Sequence, residues 1–377
     1  MDVSVYVHFP WCLQKCPYCD FASKGIDRAS VPHEAYADAV LVELERRARE
    51  VTGARLVSVF FGGGTPSLWE PAQLGRVLAA VESVFVERAP SVEVTAECNP
   101  SSLDRTRAAG LRAAGVNRLS IGVQALDDRT LRFLGRMHDG DGALRALTDA
   151  VAEHDRVSAD LMFGMPGQAP AAFFDAIDRV LSTGVEHVSA YALTIEPGTQ
   201  FGELHRKGRL TLAPDDDYAD MFVGAHERLE RAGLGHYEVS NYARAGREAR
   251  HNVHYWRGGA YLGLGAGAVG RVGARRWRND PEPSRYMERS ARPDVEVFEE
   301  TLGPEEVVRE ALMLGLRTRA GVDLDALERD AGVDPRRGRE RAIARAIDTG
   351  DALLDGARLR VPPARWLHLD GIIARLF

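Results

Sequence analysis

The chain has 377 residues, 45% hydrophobic and 27% charged, the mix of a globular protein too long for one ordinary domain. Its formal net charge of −7 argues against a dedicated nucleic-acid binder, whose phosphate affinity needs clustered Lys and Arg, and no apolar run approaches the ~20 residues that span a bilayer. Met1-Asp2 runs straight into a strand-like segment with no signal peptide, so a reducing, cytoplasmic location is expected. From residue 3 to about 240, short β-branched runs alternate with longer amphipathic stretches. Strands are predicted at Val3–Phe9, Arg55–Phe61, Val92–Cys98, Arg118–Gln124, Val157–Phe163 and His187–Leu193. Helices are predicted between them, among others at Pro32–Glu50, Pro71–Arg88 and Ala169–Thr183, each with apolar residues at helical spacing.

Strand followed by helix, six times over, indicates an α/β protein with a parallel sheet. Unusual residues follow each strand in turn: the cysteines, Gly62-Gly63-Gly64-Thr65-Pro66, Glu97-Cys98-Asn99-Pro100, Gln124, Gly164-Met165-Pro166-Gly167 and Thr194-Ile195-Glu196-Pro197-Gly198. In a parallel barrel the chemistry gathers at the carboxyl ends of the strands. The pattern therefore favours a partial or complete parallel (β/α) barrel over residues 1–240. The open doubly wound sheet is the alternative, but its single crevice does not call for special residues after every strand.

Residues 241–302 are read as a barrel-capping insertion, irregular and rich in Gly and aromatics as far as about 285. From 303 to 377 the texture changes to helical patterns at Glu305–Arg317, Leu324–Asp330 and Arg337–Thr349. A hairpin at Ala352–Val361 and a helix near Pro363–Leu376 follow, together a small winged-helix-like domain. Its Arg run at 336–345 is read as a solvated face, since the domain holds 13 Arg against 13 Asp or Glu.

Cys12, Cys16 and Cys19 form a C-x3-C-x2-C motif, a spacing that in a reducing compartment points to metal ligation rather than disulfides. Three thiolates on one tight loop hold three irons of a [4Fe-4S] cubane and leave the fourth without a protein ligand. Such an iron accepts the amino and carboxylate groups of S-adenosylmethionine (SAM), whose reductive C–S cleavage gives a 5′-deoxyadenosyl radical. A Cys3His zinc site using His8 is the rival, but the second half that zinc sites use is missing. Cys98, alone on the third strand, is read as a buried small apolar residue.

These motifs resemble the radical SAM superfamily and, within it, the coproporphyrinogen III oxidase-like (HemN/HemW) family, in register from Tyr6 to Gly270. The resemblance implies that Gly63, Gly64 and Thr65 bind the SAM amino group, that Tyr6 contacts SAM and that Tyr18 stacks near its adenine. It implies a ribose-binding role for Glu97 and SAM-associated roles for Gln124, Arg136 and Asp160. Ala192 and Val269 match through local register alone. Whether one SAM or two is bound stays open.

Departures from the oxidase pattern direct the functional reading. The oxidase branch has a further cysteine two residues after the third, where this chain has Phe21, and a long extension before the cluster. Arg250-His251-Asn252-Val253-His254-Tyr255-Trp256 matches the H-N-x-x-Y-W signature of the HemW branch. That branch implies haem binding and delivery to an acceptor protein, with room for peripheral contact with membrane acceptors, rather than porphyrinogen oxidation. His251 beside aromatics and glycines offers an axial nitrogen to haem iron, with His254 as the other candidate. From local residues alone, a hydrogen-bonded core histidine is the plainer reading of His251.

Overall fold

A computed structural model describes residues 1–377. Six βα units open the chain, as the alternation predicts. The strands are β1 (Asp2–Phe9), β2 (Arg55–Gly63), β3 (Glu87–Cys98), β4 (Arg118–Gln124), β5 (Val157–Phe163) and β6 (His187–Ala192). They lie side by side in chain order, all parallel. Among the crossover helices, α1 (His33–Arg47) and α2 (Pro71–Val84) end before the predicted Glu50 and Arg88. The stretch from Glu87 is instead the half-exposed start of β3.

Each strand sends alternate side chains to two surroundings. On β1 and β2, Val3, Val5, Val7, Phe9, Leu56, Val59 and Phe61 pack under the helices in a single core cluster of 59 buried residues. The alternate set is polar: Ser4 and Ser58 share a 2.7 Å hydrogen bond across the strands, and Tyr6, His8, Glu97 and Asp160 continue the series. The sheet curls around this polar interior. The chain beyond β6 reaches back to the loop after β1, where Phe201 N–H donates to Pro17 C=O at 3.0 Å.

The barrel is partial. Past β6, β7 (Gly235–Glu238) and β8 (Asn241–Ala243) are antiparallel, with β7 at the edge. At the other side β9 (Ala260–Leu264) pairs parallel with β1. Then β10 (Val269–Val272), β11 (Arg275–Asn279) and β12 (Glu296–Thr301) follow antiparallel, and β12 never meets β7. The stretch after residue 241 is thus more regular than its composition suggests, and its strands extend the main sheet. Glu43, fully buried on α1, ties it down. Its carboxylate accepts from Arg47 Nε (2.7 Å), Gly265 N (2.9 Å), Asn279 Nδ2 (2.8 Å) and Tyr286 OH (2.7 Å).

A second core of 16 buried residues, Val308 to Leu376, gathers the three predicted C-terminal helices, observed at Pro304–Gly315, Leu324–Ala331 and Glu340–Asp348. The hairpin strands Leu353–Asp355 and Arg358–Arg360 are joined by a short third strand at Val322–Asp323. Trp366, 2% exposed, meets the ring of His236 edge-on at 4.3 Å, and Glu238 on β7 bridges to Thr318.

Candidate functional site

The cysteine loop leaves β1 at Pro10 and is pinned at several points. Trp11–Cys12 pairs with Lys24–Gly25, Cys19 N–H donates to Cys16 C=O at 3.1 Å, and Lys15 Nζ donates to Phe21 C=O at 2.9 Å. Cys12, Cys16 and Cys19 are free and half-buried, whereas Cys98 is buried at the end of β3. Burial pushes the Cys12 and Cys19 thiols above their ordinary range, opposed at Cys12 by the Thr65 hydroxyl. Thr65 Oγ1 donates to Cys12 Sγ at 3.3 Å and Arg136 Nη1 donates to Cys16 Sγ at 3.5 Å. No three His, Cys, Asp or Glu side chains converge on one point as a single ion requires. An iron–sulfur cubane asks instead for thiolates at separate corners, and three thiols on one loop, two of them accepting hydrogen bonds from Thr65 and Arg136, fit that group.

The glycine loop after β2 lies against the cysteine loop. Gly64 N–H donates to Phe9 C=O (2.7 Å) and Thr65 N–H to Trp11 C=O (2.8 Å). A Cβ on Gly64 would sit 2.5 Å from the Trp11 carbonyl oxygen, so only glycine permits this approach. Gly63 N–H donates to Glu97 Oε2 at 3.0 Å. Burial, with Asp160 adding repulsion, pushes the Glu97 carboxyl up to about 8. Burial raises Asp160 too, against donation from Ser189 and Ser120. Desolvation is the main cause at both carboxyls, and the Arg118 guanidinium pulls each back toward ionisation.

The remaining predicted residues complete this end. Tyr6 OH meets His8 Nδ1 at 3.0 Å, and Tyr18 lies beside Phe201, ring centroids 6.3 Å apart. Gln124 ends β4 and Arg136 follows the helix Asp128–Phe133, its Nη2 donating to Gly122 C=O at 2.7 Å. Ala192 ends β6, and Val269 opens β10 after a turn whose Gly267 abuts Ala22 of the cysteine loop. A cleft lined by Leu13, Cys16, Thr65, Asn99 and Arg136 opens here.

His251 adjoins this group through Tyr6, the two ring centroids 6.4 Å apart. Its helix, α3 (Arg250–Trp256), packs against Ser58 of β2 and Glu93 of β3. The imidazole is buried, with Nδ1 3.0 Å from Ser58 Oγ and the ring 4.9 Å from that of Phe60. The His251 backbone N–H donates to Glu93 Oε1 at 3.0 Å, and burial depresses the imidazole to about 3. This is the arrangement of a hydrogen-bonded core histidine. His254 is half-buried, with Nε2 2.9 Å from Ala260 C=O, and Tyr255 is exposed.

Sequence reasoning considered His8 only as a zinc ligand. The structure gives it a different place: Nε2 lies 3.0 Å from Ala22 C=O, so the ring ties the exit of the cysteine loop to Tyr6. The signal available was its position, two residues after Tyr6 on the same face of β1.

Known proteins extend this picture. The Radical SAM superfamily model matches residues 6–180 and the HemN C-terminal domain model residues 302–368. The chain is 37% identical to "Heme chaperone HemW" of Mycobacterium tuberculosis over 99% of this chain and 94% of that protein. It is 36% identical to "Heme chaperone HemW" of Bacillus subtilis over 85% of this chain and 84% of that protein. Among solved structures, the Escherichia coli coproporphyrinogen III oxidase (HemN) superposes with a TM-score of 0.82 at 21% identity, covering 99% of this chain and 89% of that one. That likeness concerns the fold. No helix is long and apolar enough to cross a membrane.

Proposed function

The chain belongs to the HemW family of radical SAM proteins, and from that premise we propose that it binds haem and hands it to an acceptor protein. The observation that carries this reading is the 37% identity over 94% of a protein named as a heme chaperone. Phe21, 56% exposed beside Cys19, agrees with it, since the oxidase pattern has a ligating type of residue there. We place the protein in the cytoplasm, free to meet soluble or membrane-bound acceptors at its surface.

In this reading Cys12, Cys16 and Cys19 hold a [4Fe-4S] cluster. Gly63, Gly64, Thr65, Glu97, Gln124, Arg136 and Asp160 surround SAM, with Tyr6 and Tyr18 beside it. When bound, the cluster and SAM supply one-electron reductive chemistry. The chain's own part is positional. Glu97 fixes the Gly63 amide, Thr65 and Arg136 donate to sulfur, and the His8 ring holds the loop exit. His251, its ring 6.4 Å from that of Tyr6, braces α3 from within, while His254 and Tyr255 reach the accessible side and offer nitrogen and an aromatic face.

Anaerobically reconstituted wild-type, His251→Ala and His254→Ala proteins titrated with haem test this, read by the Soret band and by retention through gel filtration. About one haem per wild-type chain is expected, with loss in whichever variant lacks the iron ligand. Wild-type protein that retains none would sink the chaperone reading. Sustained conversion of coproporphyrinogen III with SAM and reductant would give the function to the oxidase instead.

A further inference from the structure

We infer that Arg136 sets the reduction potential of the cluster through its charge at Cys16, an inference that rests on the cluster proposed for Cys12, Cys16 and Cys19. Its Nη1 donates to Cys16 Sγ at 3.5 Å, which makes it a cation in hydrogen-bond contact with a ligand sulfur, where Thr65 offers Cys12 only a neutral hydroxyl. The side chain is held there by unusual backbone. Nη2 donates at 2.7 Å to the Gly122 carbonyl, at a point where the β4–β5 register slips between Gly122 and Gln124. Gln124, with φ of 68°, is the only non-glycine residue of the chain at positive φ. Arg136 Nε is buried with no partner. Just before it, Gly135 (φ 67°) lies so close to the cysteine loop that a Cβ there would meet Pro17 Cδ at 2.7 Å.

A strained residue and an unpaired buried N–H both cost stability, and they persist where the surroundings over-determine them. Here they keep a guanidinium on a sulfur. Reduction adds one electron, and so one negative charge, to a partly desolvated cluster. A fixed cation a few ångströms away stabilises the reduced form more than the oxidised one, and hydrogen bonds to sulfur act in the same direction. Arg136 therefore raises the potential.

The test is a dithionite titration of reconstituted protein without SAM, so that no contact between Arg136 and SAM enters, with the reduced cluster followed by EPR. Arg136→Gln keeps a donor and removes the charge, and its midpoint should move to more negative potential. Arg136→Lys keeps the charge, and its midpoint should stay nearer to wild type. A cluster kept by Arg136→Lys and lost by Arg136→Gln would overturn the inference, because the charge would then serve assembly rather than potential. A Gln variant with the wild-type midpoint, a Lys variant shifted as far as Gln, or loss of the cluster from both would overturn the inference. Wild-type protein that assembles no cluster defeats the underlying reading instead, and iron and sulfide analysis separates the two failures.

Discussion

Replacing Gly63 by Ala asks two separate things of the fold. The backbone there has φ of 107°, which an L residue adopts at a cost of about 1–2 kcal/mol. The new Cβ would also lie 2.5–2.7 Å from Cε1, Nδ1 and Nε2 of His8. That ring cannot yield freely, because Tyr6 OH and Ala22 C=O hold its two nitrogens, each at 3.0 Å. Giving up one of these bonds in a buried setting costs about 1–2 kcal/mol. Gly63→Ala should therefore lose about 3 kcal/mol in urea unfolding, where Gly198→Ala, at φ 83° with nothing within 4 Å of its Cβ, loses only the conformational part, about 1 kcal/mol. Because Ala22 follows Cys19 so closely, Gly63→Ala should also take up less iron on reconstitution, and Gly198→Ala should match wild type. Equal losses in the two variants, with equal iron, would refute the idea that His8 is a fixed strut between glycine loop and cysteine loop.

Iron and sulfide per chain should collapse in Cys12→Ala, Cys16→Ala and Cys19→Ala and persist in Cys98→Ala; loss in the last as complete as in the first would break the three-ligand assignment. The Glu97 carboxyl, held protonated up to about pH 8 by burial and by Asp160 but ionised above about 4.5 when unfolded, makes wild-type stability fall as pH rises between those values, by at most about 1.4 kcal/mol per unit. Urea midpoints from pH 5 to 8 should fall less steeply in Glu97→Gln, and parallel slopes would remove Glu97 as the cause. Trp366→Ala should cost about 3–5 kcal/mol, since it empties the centre of the second core and frees the face of His236. Limited proteolysis should then cut first beyond residue 302; wild-type resistance there would argue that the contact adds little.

The six parallel strands were readable because each is buried on both sides and flanked by crossover helices, so composition and rhythm agree. β12 was not. Its sequence, Glu-Val-Phe-Glu-Glu-Thr, has no buried alternation, and it is held to the Arg-rich β11 by ion pairs such as Arg275–Glu299 at 2.8 Å and Arg276–Glu300 at 2.9 Å. Cross-strand partners of that kind cannot be seen from one strand alone. At the site, cysteine spacing and the glycine loop are local patterns and survive reading one residue at a time. The contacts Thr65–Cys12 and Arg136–Cys16 join residues 53 and 120 positions apart, so they exist only once the barrel curls. The positive φ at Gln124 is equally silent in sequence, because Gln carries no turn preference to announce it. His251 shows the opposite case: its signature was legible, but its burial against Ser58 was not.

An open sheet leaves two strands with one side unpaired, and such edges recruit other chains by hydrogen bonding. The two edges of this barrel differ. β12 pairs its glutamates with the arginines of β11 and leaves Val297 and Phe298 exposed. β7 lies beside the C-terminal domain, where Val239 N–H donates to Arg317 C=O at 2.9 Å and Arg319 N–H to Tyr237 C=O at 3.0 Å. That domain therefore serves as an edge guard as well as a folded unit of its own. A chain cut near residue 302 would bare the β7 backbone and gain a route to self-association that the full chain lacks.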